Sequence, residues 1–413
     1  MLRAYLVLGA LALGILLGAV IEDGAPALMN GADVVGSMWL NALRMTVVPL
    51  IVGLLIVGIL KAAQMARAGR MTVRAIGTMM ILLWLSAIMA AIVTPALLEL
   101  FPLPTDAANA LKAALGSAAP AGEIPPFSEF LRAIIPTNPV SAAAQDAILP
   151  LIIFTLAFAF AISKLPADQR GVMRGFFDAL ANAMLILINW VLLIAPIGVF
   201  ALAMVVGAKA GVAAFGALAH YVLILVSVGF IVWIASFFVA LFGAKIGPVT
   251  FFKAAIPAQA VALSTQSSLA SLPAMVEGVK KLGVGERSAD VVLPVAVALF
   301  RATGPCMNLA VAIYVAHFMG IELSITALAI GVAAAAITTL GAVSLPGSVS
   351  FITSIAPINI AMGLPVEPLI ILLAIETFPD IMRTLGNVTM DMAVTTTIAN
   401  YEEDLGHEIS QSG

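Results

Sequence analysis

Long apolar runs separated by short polar breaks make up most of this chain. At ~1.5 Å of rise per residue, a run of about 20 apolar positions crosses a bilayer as a helix. Such runs lie at about 4–21, 36–60, 76–100, 177–206 and 217–242, with a shorter one at 147–163. The first, MLRAYLVLGALALGILLGAV, has the outline of a cleaved leader because Arg3 precedes an apolar core. The rest of the chain is equally apolar, so it reads as a first span. Beyond residue 245 the pattern changes. VALSTQSSLASLP (261–273) is polar inside an apolar region, RATGP (301–305) interrupts a span at 289–316, and TTLGAVSLPGSVSFITS (338–354) carries Gly, Ser and Pro where a plain span would carry leucines. Proline inside a helix removes a backbone bond and clashes with the preceding turn. Backbone opened in this way faces protein or water, never lipid. Two re-entrant hairpins are therefore expected, at about 250–281 and 321–365, with tips near Ser267–Ser268–Leu269 and Ser344–Leu345–Pro346–Gly347. Lys245, Lys253, Lys280 and Lys281 place both ends of the first on the cytoplasmic side, and the second enters from the opposite side. The expected fold class is an α-helical multi-span membrane protein, with eight transmembrane helices and two opposed hairpins. Hairpins that meet near mid-membrane are where a secondary transporter builds its site.

Composition agrees with that reading. The 413 residues are 62% hydrophobic and 10% charged, with a mean hydropathy of +1.14, whereas soluble domains carry about 25% charged residues. A net charge of −3 with scattered basic residues does not point to a nucleic-acid partner, and none is expected. One cysteine, Cys306, excludes an internal disulfide, and three histidines with that cysteine offer no grouped metal ligands. Basic residues concentrate at 61–75, 164–174 and 244–253, which become cytoplasmic together with the N-terminus and the 401–413 tail, while 101–146 and 207–214 lie outside.

Against this background FPDIMRTLGNVTMDMA (378–393) stands out. Asp380, Arg383, Thr384, Asn387 and Asp391 step by three or four and so share one helix face. Ionisable groups inside a membrane cost several kcal/mol unless they face a partner or a cavity. An internal lock between helices would explain the stripe, but the adjacent hairpins supply a place for a substrate. Arg383 suits bidentate binding of a carboxylate. Asp380, one turn away, suits an ammonium, and Thr384 adds a hydroxyl. Asn387 and Asp391 offer hard oxygens to a small cation such as Na⁺, and Asp391 is alternatively a titrating group. An intramembrane hydrolase is not expected, because Ser267 has no evident His or Lys partner.

These segments resemble the dicarboxylate/amino acid:cation symporter family, which includes the glutamate transporters. The resemblance is carried by NALRMTVVPLIVG (41–53), IIPTNPVSAA (134–143), STQSSLASLP (264–273), LGAVSLPGS (340–348) and, most specifically, DIMRTLGNVTMD (380–391). It implies inverted repeats, a homotrimer and an elevator-type transporter in a plasma membrane, read here as a bacterial inner membrane. Residues 1–75 and 102–206 would form the scaffold. Residues 76–101 and 207–400 would form the moving transport domain, with the last span at about 366–395. By the same resemblance Arg383 holds the substrate's side-chain carboxylate, Asp380 its amino group, and Thr384, Ser267, Ser268, Pro346 and Gly347 complete the substrate site. Asn387 and Asp391 belong to a sodium site.

The resemblance fails at one point. Where the family has Asn-Met-Asp-Gly-Thr in the broken span, this chain has Phe300, Arg301, Ala302, Thr303 and Gly304. A phenyl ring and a methyl group cannot ligate sodium. Thr303 retains a hydroxyl, and Arg301 brings a permanent positive charge that is expected to stand in for the bound cation by pairing with Asp391. Asn308 would reach the cation region only if the alignment slipped. The expected function is secondary active transport of an acidic amino acid (aspartate or glutamate) or a dicarboxylate, without standard Na⁺ symport. Proton-coupled or uncoupled C4-dicarboxylate carriage or exchange and an anion-conducting channel are the alternatives. No cofactor is expected. The coupling ion is left between Na⁺ and H⁺, with Glu376 as a candidate proton carrier.

Overall fold

The computed structural model describes residues 2–21, 25–66, 70–103, 135–145, 147–210, 213–341 and 347–412. Residues 104–134 of the expected outer loop, most of the amphipathic piece near 126–135 among them, and three of the four tip residues of the second hairpin (Ser344, Leu345 and Pro346) lie outside them.

Every regular element among the described residues is helical. In chain order these are α1 (Leu2–Ile21), α2 (Pro26–Arg44), α3 (Val47–Ala66), α4 (Arg70–Leu100), α5 (Pro139–Ala144), α6 (Ile148–Lys164), α7 (Ala167–Leu193), α8 (Ala195–Ala210), α9 (Ala213–Gly243), α10 (Pro248–Thr265), α11 (Ser268–Lys281), α12 (Glu286–Leu299), α13 (Thr303–Met319), α14 (Ile325–Thr338), α15 (Gly347–Ala361), α16 (Pro368–Ile375) and α17 (Thr377–Ser412). Among the described residues, three helices are long and apolar enough to cross a membrane, at Met71–Leu100, Ala167–Leu193 and Phe215–Gly243. They expose large apolar side chains such as Ile81, Ile92, Trp190 and Phe242, which suits a lipid surround.

Two expected spans are each split in two. The run at 36–60 breaks between α2 and α3, where Met45 N–H closes on Asn41 O at 3.0 Å and Leu50 N–H restarts on Thr46 O at 3.1 Å. Pro49 cannot donate to Met45 O, and its ring crowds that carbonyl. The run at 177–206 breaks at Ile194 for the same reason. Pro196 cannot donate to Leu192 O, and α8 restarts through Ile197 N–H and Gly198 N–H, both donating to Ile194 O. At PTNP the expected break is a cap: Asn138 Oδ1 accepts from Val140 N–H at 2.9 Å and Ser141 N–H at 3.1 Å, with Pro139 first in α5.

α1 lies along α8, the most extensive helix pairing among the described residues. It is made possible by Gly14 and Gly18 facing Ala203, Met204 and Gly207. A Cβ on Gly18 would collide with Met204 O, and one on Gly207 would collide with Ile15 O. Close backbone approach through small residues is the usual way helices pack in a membrane, where apolar burial alone gives no drive to associate.

The C-terminal half packs around α13 and α17. Every residue of α13 except the exposed His317 is buried. α10 and α11 pack against each other as a hairpin whose turn is Gln266–Ser267. The turn lies one residue earlier than expected, because Ser268 and Leu269 already belong to α11. Gln266 adopts φ 52°, a left-handed conformation that costs a non-glycine residue roughly 1–2 kcal/mol. Its side-chain Nε2 lies 3.4 Å from Thr377 O, which ties the turn to the start of α17. α14 and α15 form the second helix pair.

Candidate functional site

Three interruptions in helical backbone converge on one face of α17. α12 and α13 are separated by Phe300–Ala302, α16 and α17 by Glu376, and the α10–α11 turn reaches Thr377. The expected stripe is present. Asp380, Arg383, Thr384, Asn387 and Asp391 are all buried, and so is Glu376. α17 tolerates Pro379 because it falls in the first turn, where its missing donor has no intrahelical acceptor.

Arg383 organises the cluster. Its Nη2 donates to Glu376 Oε1 at 2.9 Å, its Nη1 to Asn308 Oδ1 at 2.7 Å, and its Nε lies 3.5 Å from Asp380 Oδ1. The second carboxylate oxygen of Glu376, Oε2, accepts from Tyr221 Oη on α9 at 3.3 Å. Each carboxylate-binding edge of the guanidinium is therefore already in use. Thr384 Oγ1 donates to Asp380 O at 2.9 Å, so its proton serves its own helix and its lone pairs face elsewhere.

Thr303 fixes the broken segment to α17. Its N–H donates to Asn387 Oδ1 at 2.9 Å, and its hydroxyl lies 2.8 Å from the same oxygen and 2.9 Å from Arg383 O. On the other side Ser86 Oγ of α4 donates to Ala302 O at 2.5 Å. Residues 300–303 are held between α4 and α17, with Phe300 and Ala302 buried and Arg301 partly exposed. The Asn387 oxygen assigned to a cation by resemblance thus takes the Thr303 N–H and shares its hydroxyl proton.

The expected pairing of Arg301 with Asp391 is not a hydrogen bond. Both Asp391 oxygens are fully buried and have no hydrogen-bond partner among the described residues. Ser267 caps α11, its Oγ accepting from Ala270 N–H at 3.2 Å. Ser268 is buried beside it. Gly347 opens α15, and Pro346 lies outside the described residues. No group of three or more metal-ligating His, Cys, Asp or Glu occurs among the described residues.

Some partners are not legible in the sequence. Asn308 reaches the cation region by sequence only through a slipped alignment, yet it lies about a turn and a half into α13 and accepts from Arg383. Tyr221 is hidden in an apolar run, where a lone hydroxyl gives no periodic signal. The same holds for Gln259, whose Nε2 donates to Thr389 Oγ1 at 3.0 Å and links α10 to α17. His220 joins α9 to α13 and to the end of α4: Nδ1 lies 3.0 Å from Tyr314 Oη and Nε2 2.7 Å from Phe101 O.

The sodium:dicarboxylate symporter family model matches residues 4–401. Among curated proteins the chain is 28% identical to the proton/sodium-glutamate symport protein of Bacillus subtilis, over 95% of this chain and 91% of that one. It is 27% identical to the C4-dicarboxylate transport protein of Laribacter hongkongensis, over 97% and 90%. It is also 27% identical to the proton/glutamate-aspartate symporter of Escherichia coli, over 97% and 92%.

Proposed function

The chain belongs to the sodium:dicarboxylate symporter family, a family of transporters rather than enzymes, and from that premise we propose that it is a secondary active carrier of a small acidic substrate across the bacterial inner membrane. The observation that carries the proposal is Arg383, a buried guanidinium beside a broken helix and a hairpin turn, with every hydrogen-bonding neighbour on a different element or in a helix break. Relatives named for glutamate and for C4-dicarboxylates bracket the substrate class.

In this reading α10–α11 and α14–α15 are opposed re-entrant hairpins, and the chain spans the membrane eight times with both termini in the cytoplasm. Residues 76–101 and 207–400 move as an elevator against a trimeric scaffold of 1–75 and 102–206. Ser267, Ser268, Pro346 and Gly347 flank the substrate, and Thr384 contacts it.

Coupling departs from sodium symport. The side chains of Phe300 and Ala302 offer no ligand atoms, Ala302 O is engaged by Ser86, and the Asn387 oxygen is engaged by Thr303. A sodium ion would therefore find Asp391 and little else, with Arg301 opposing it. Arg301 takes the cation's electrostatic role. A proton takes its coupling role, carried by Glu376. The substrate carboxylate replaces Glu376 on Arg383. Breaking a buried ion pair and leaving one partner charged costs about 3–5 kcal/mol, so the displaced Glu376, held among Arg383, Asp380 and Tyr221, takes up a proton as the substrate binds.

Uptake of labelled aspartate and succinate into proteoliposomes tests the carrier reading. Saturable uptake that is lost in Arg383→Ala supports it. Non-saturating flux would replace the carrier with a channel, and no flux of either compound would refute it.

A further inference from the structure

We propose that the ends of α3 and α6 and the start of α7 form a cationic site for the phosphate of an anionic phospholipid, on elements that take no part in the Arg383 cluster. The concentration of basic residues places this junction at the cytoplasmic edge of the membrane. Its cations are Lys61, Lys164, Arg170 and Arg174.

Position comes first. α3 packs against both α6 and α7. Phe177 of α7 is buried in an apolar cluster with Ile56, Val57 and Leu60 of α3 and with Ala159 and Ile162 of α6. Arg174 and Arg170 lie one and two turns before Phe177 on the same face of α7, and so they close the cytoplasmic end of that cluster. Arg170 Nη1 lies 3.3 Å from Ser163 O and 3.4 Å from Leu165 O, at the C-terminus of α6. Arg174 Nη1 donates to Gln64 Oε1 on α3 at 2.6 Å. Two arginines one turn apart thus reach two different helices. Lys164 ends α6, and Lys61 lies one turn before Gln64 on α3.

Charge comes second. All of these partners are neutral oxygens. Like charges at i and i+4 of a helix repel, and neither arginine has a carboxylate within ion-pairing distance among the described residues. Asp178, the acid one turn beyond Arg174, accepts instead from Asn182 Nδ2 at 3.3 Å. Asp168 lies exposed in the first turn of α7. Arg170 caps α6 through Nη1 alone. Its other donors, and those of Arg174, have no acceptor among the described residues.

A phosphodiester anion answers this arrangement. Its oxygens accept from several guanidinium and ammonium donors at once, and basic pockets between membrane helices on the cytoplasmic side take phospholipid headgroups. The attached acyl chains have apolar surface beside them, since Phe160, one turn before Lys164 on α6, is 60% exposed. A soluble anion would meet the same charge but leave that surface bare, which favours the lipid. The bound headgroup neutralises four like charges and ties α3 to α6 and α7.

The test is thermal unfolding of the purified full chain in a non-ionic detergent, titrated with dioctanoyl phosphatidylglycerol, dioctanoyl phosphatidylcholine or inorganic phosphate. Phosphatidylglycerol should raise the unfolding temperature and saturate, and the other two should not raise it. Replacing either arginine by glutamine should increase the phosphatidylglycerol concentration for half effect about fivefold. Lys164→Gln takes away only an exposed charge and should do the same, so the site is tested even if the arginine variants do not fold. Lys253→Gln, exposed on α10, should change nothing. An equal response to phosphatidylcholine or to inorganic phosphate overturns the lipid site. So does an equal loss in Lys253→Gln, which would make the effect one of diffuse surface charge.

Discussion

Replacing Glu376 by glutamine tests the coupling step at one residue. The substitution is nearly isosteric. It keeps a carbonyl oxygen for the 2.9 Å contact with Arg383 Nη2, turns the oxygen that accepts from Tyr221 Oη into an amide donor, and removes the charge and the titratable proton. Arg383 retains Asn308 at 2.7 Å and Asp380 at 3.5 Å, so the guanidinium is not left unpaired. The expected loss of stability is therefore that of a weakened buried hydrogen bond, about 1–3 kcal/mol, rather than that of a broken ion pair. Binding should respond more than folding. In the proposed mechanism, substrate displaces a charged Glu376, which takes a proton as it leaves Arg383. Affinity then rises as pH falls, by up to about tenfold per pH unit, or ~1.4 kcal/mol. In Glu376→Gln no proton is needed, so succinate affinity should be nearly flat between about pH 6 and pH 8 and at least equal to the wild-type value at the acid end. Calorimetry in detergent across that range measures both. If Glu376→Gln keeps the full wild-type pH slope, the proton is carried elsewhere and the displacement step is wrong.

The same geometry sets three further outcomes. Thr303→Val keeps the backbone bond to Asn387 but removes the hydroxyl shared with Arg383 O; it should cost about 1–3 kcal/mol by thermal unfolding and loosen the segment that carries Arg301. Gly207→Ala places a methyl group against Ile15 O on α1, so α1 and α8 must separate, and the variant should unfold at a lower temperature than Gly9→Ala, where an added Cβ meets nothing. Arg301→Met removes the positive charge proposed to stand in for a cation; uptake should be lost or become sensitive to Na⁺, and normal cation-indifferent uptake would show that Arg301 does not replace a cation.

The polar face of α17 is legible in the sequence because its spacing and the cost of intramembrane charge point the same way. The α10–α11 hairpin is legible as a polar island bounded by lysines. Hydropathy averages do not register the breaks at Met45–Thr46 and Ile194, because both flanks are equally apolar; Pro49 and Pro196 carry the information through backbone chemistry alone. Glu376 and Arg383 are seven residues apart, two turns on one helix, so their contact across the α16–α17 break reads as coincidence until the backbone is seen. Asn308 and Tyr221 reach the cluster from other helices, and no local pattern reports a contact of that kind. For Arg301 the sequence signal is a charge in the wrong place, and the partner it implies, Asp391, makes no hydrogen bond among the described residues.

The central claim is that a proton and a resident arginine have replaced sodium in driving this carrier. Uptake of labelled succinate and aspartate into proteoliposomes, with Na⁺ and pH gradients imposed separately, tests it most directly. The account predicts accumulation driven by an inward proton gradient and indifferent to Na⁺. Strict dependence on Na⁺ would contradict it and return Asp391 and Asn387 to the role of cation ligands.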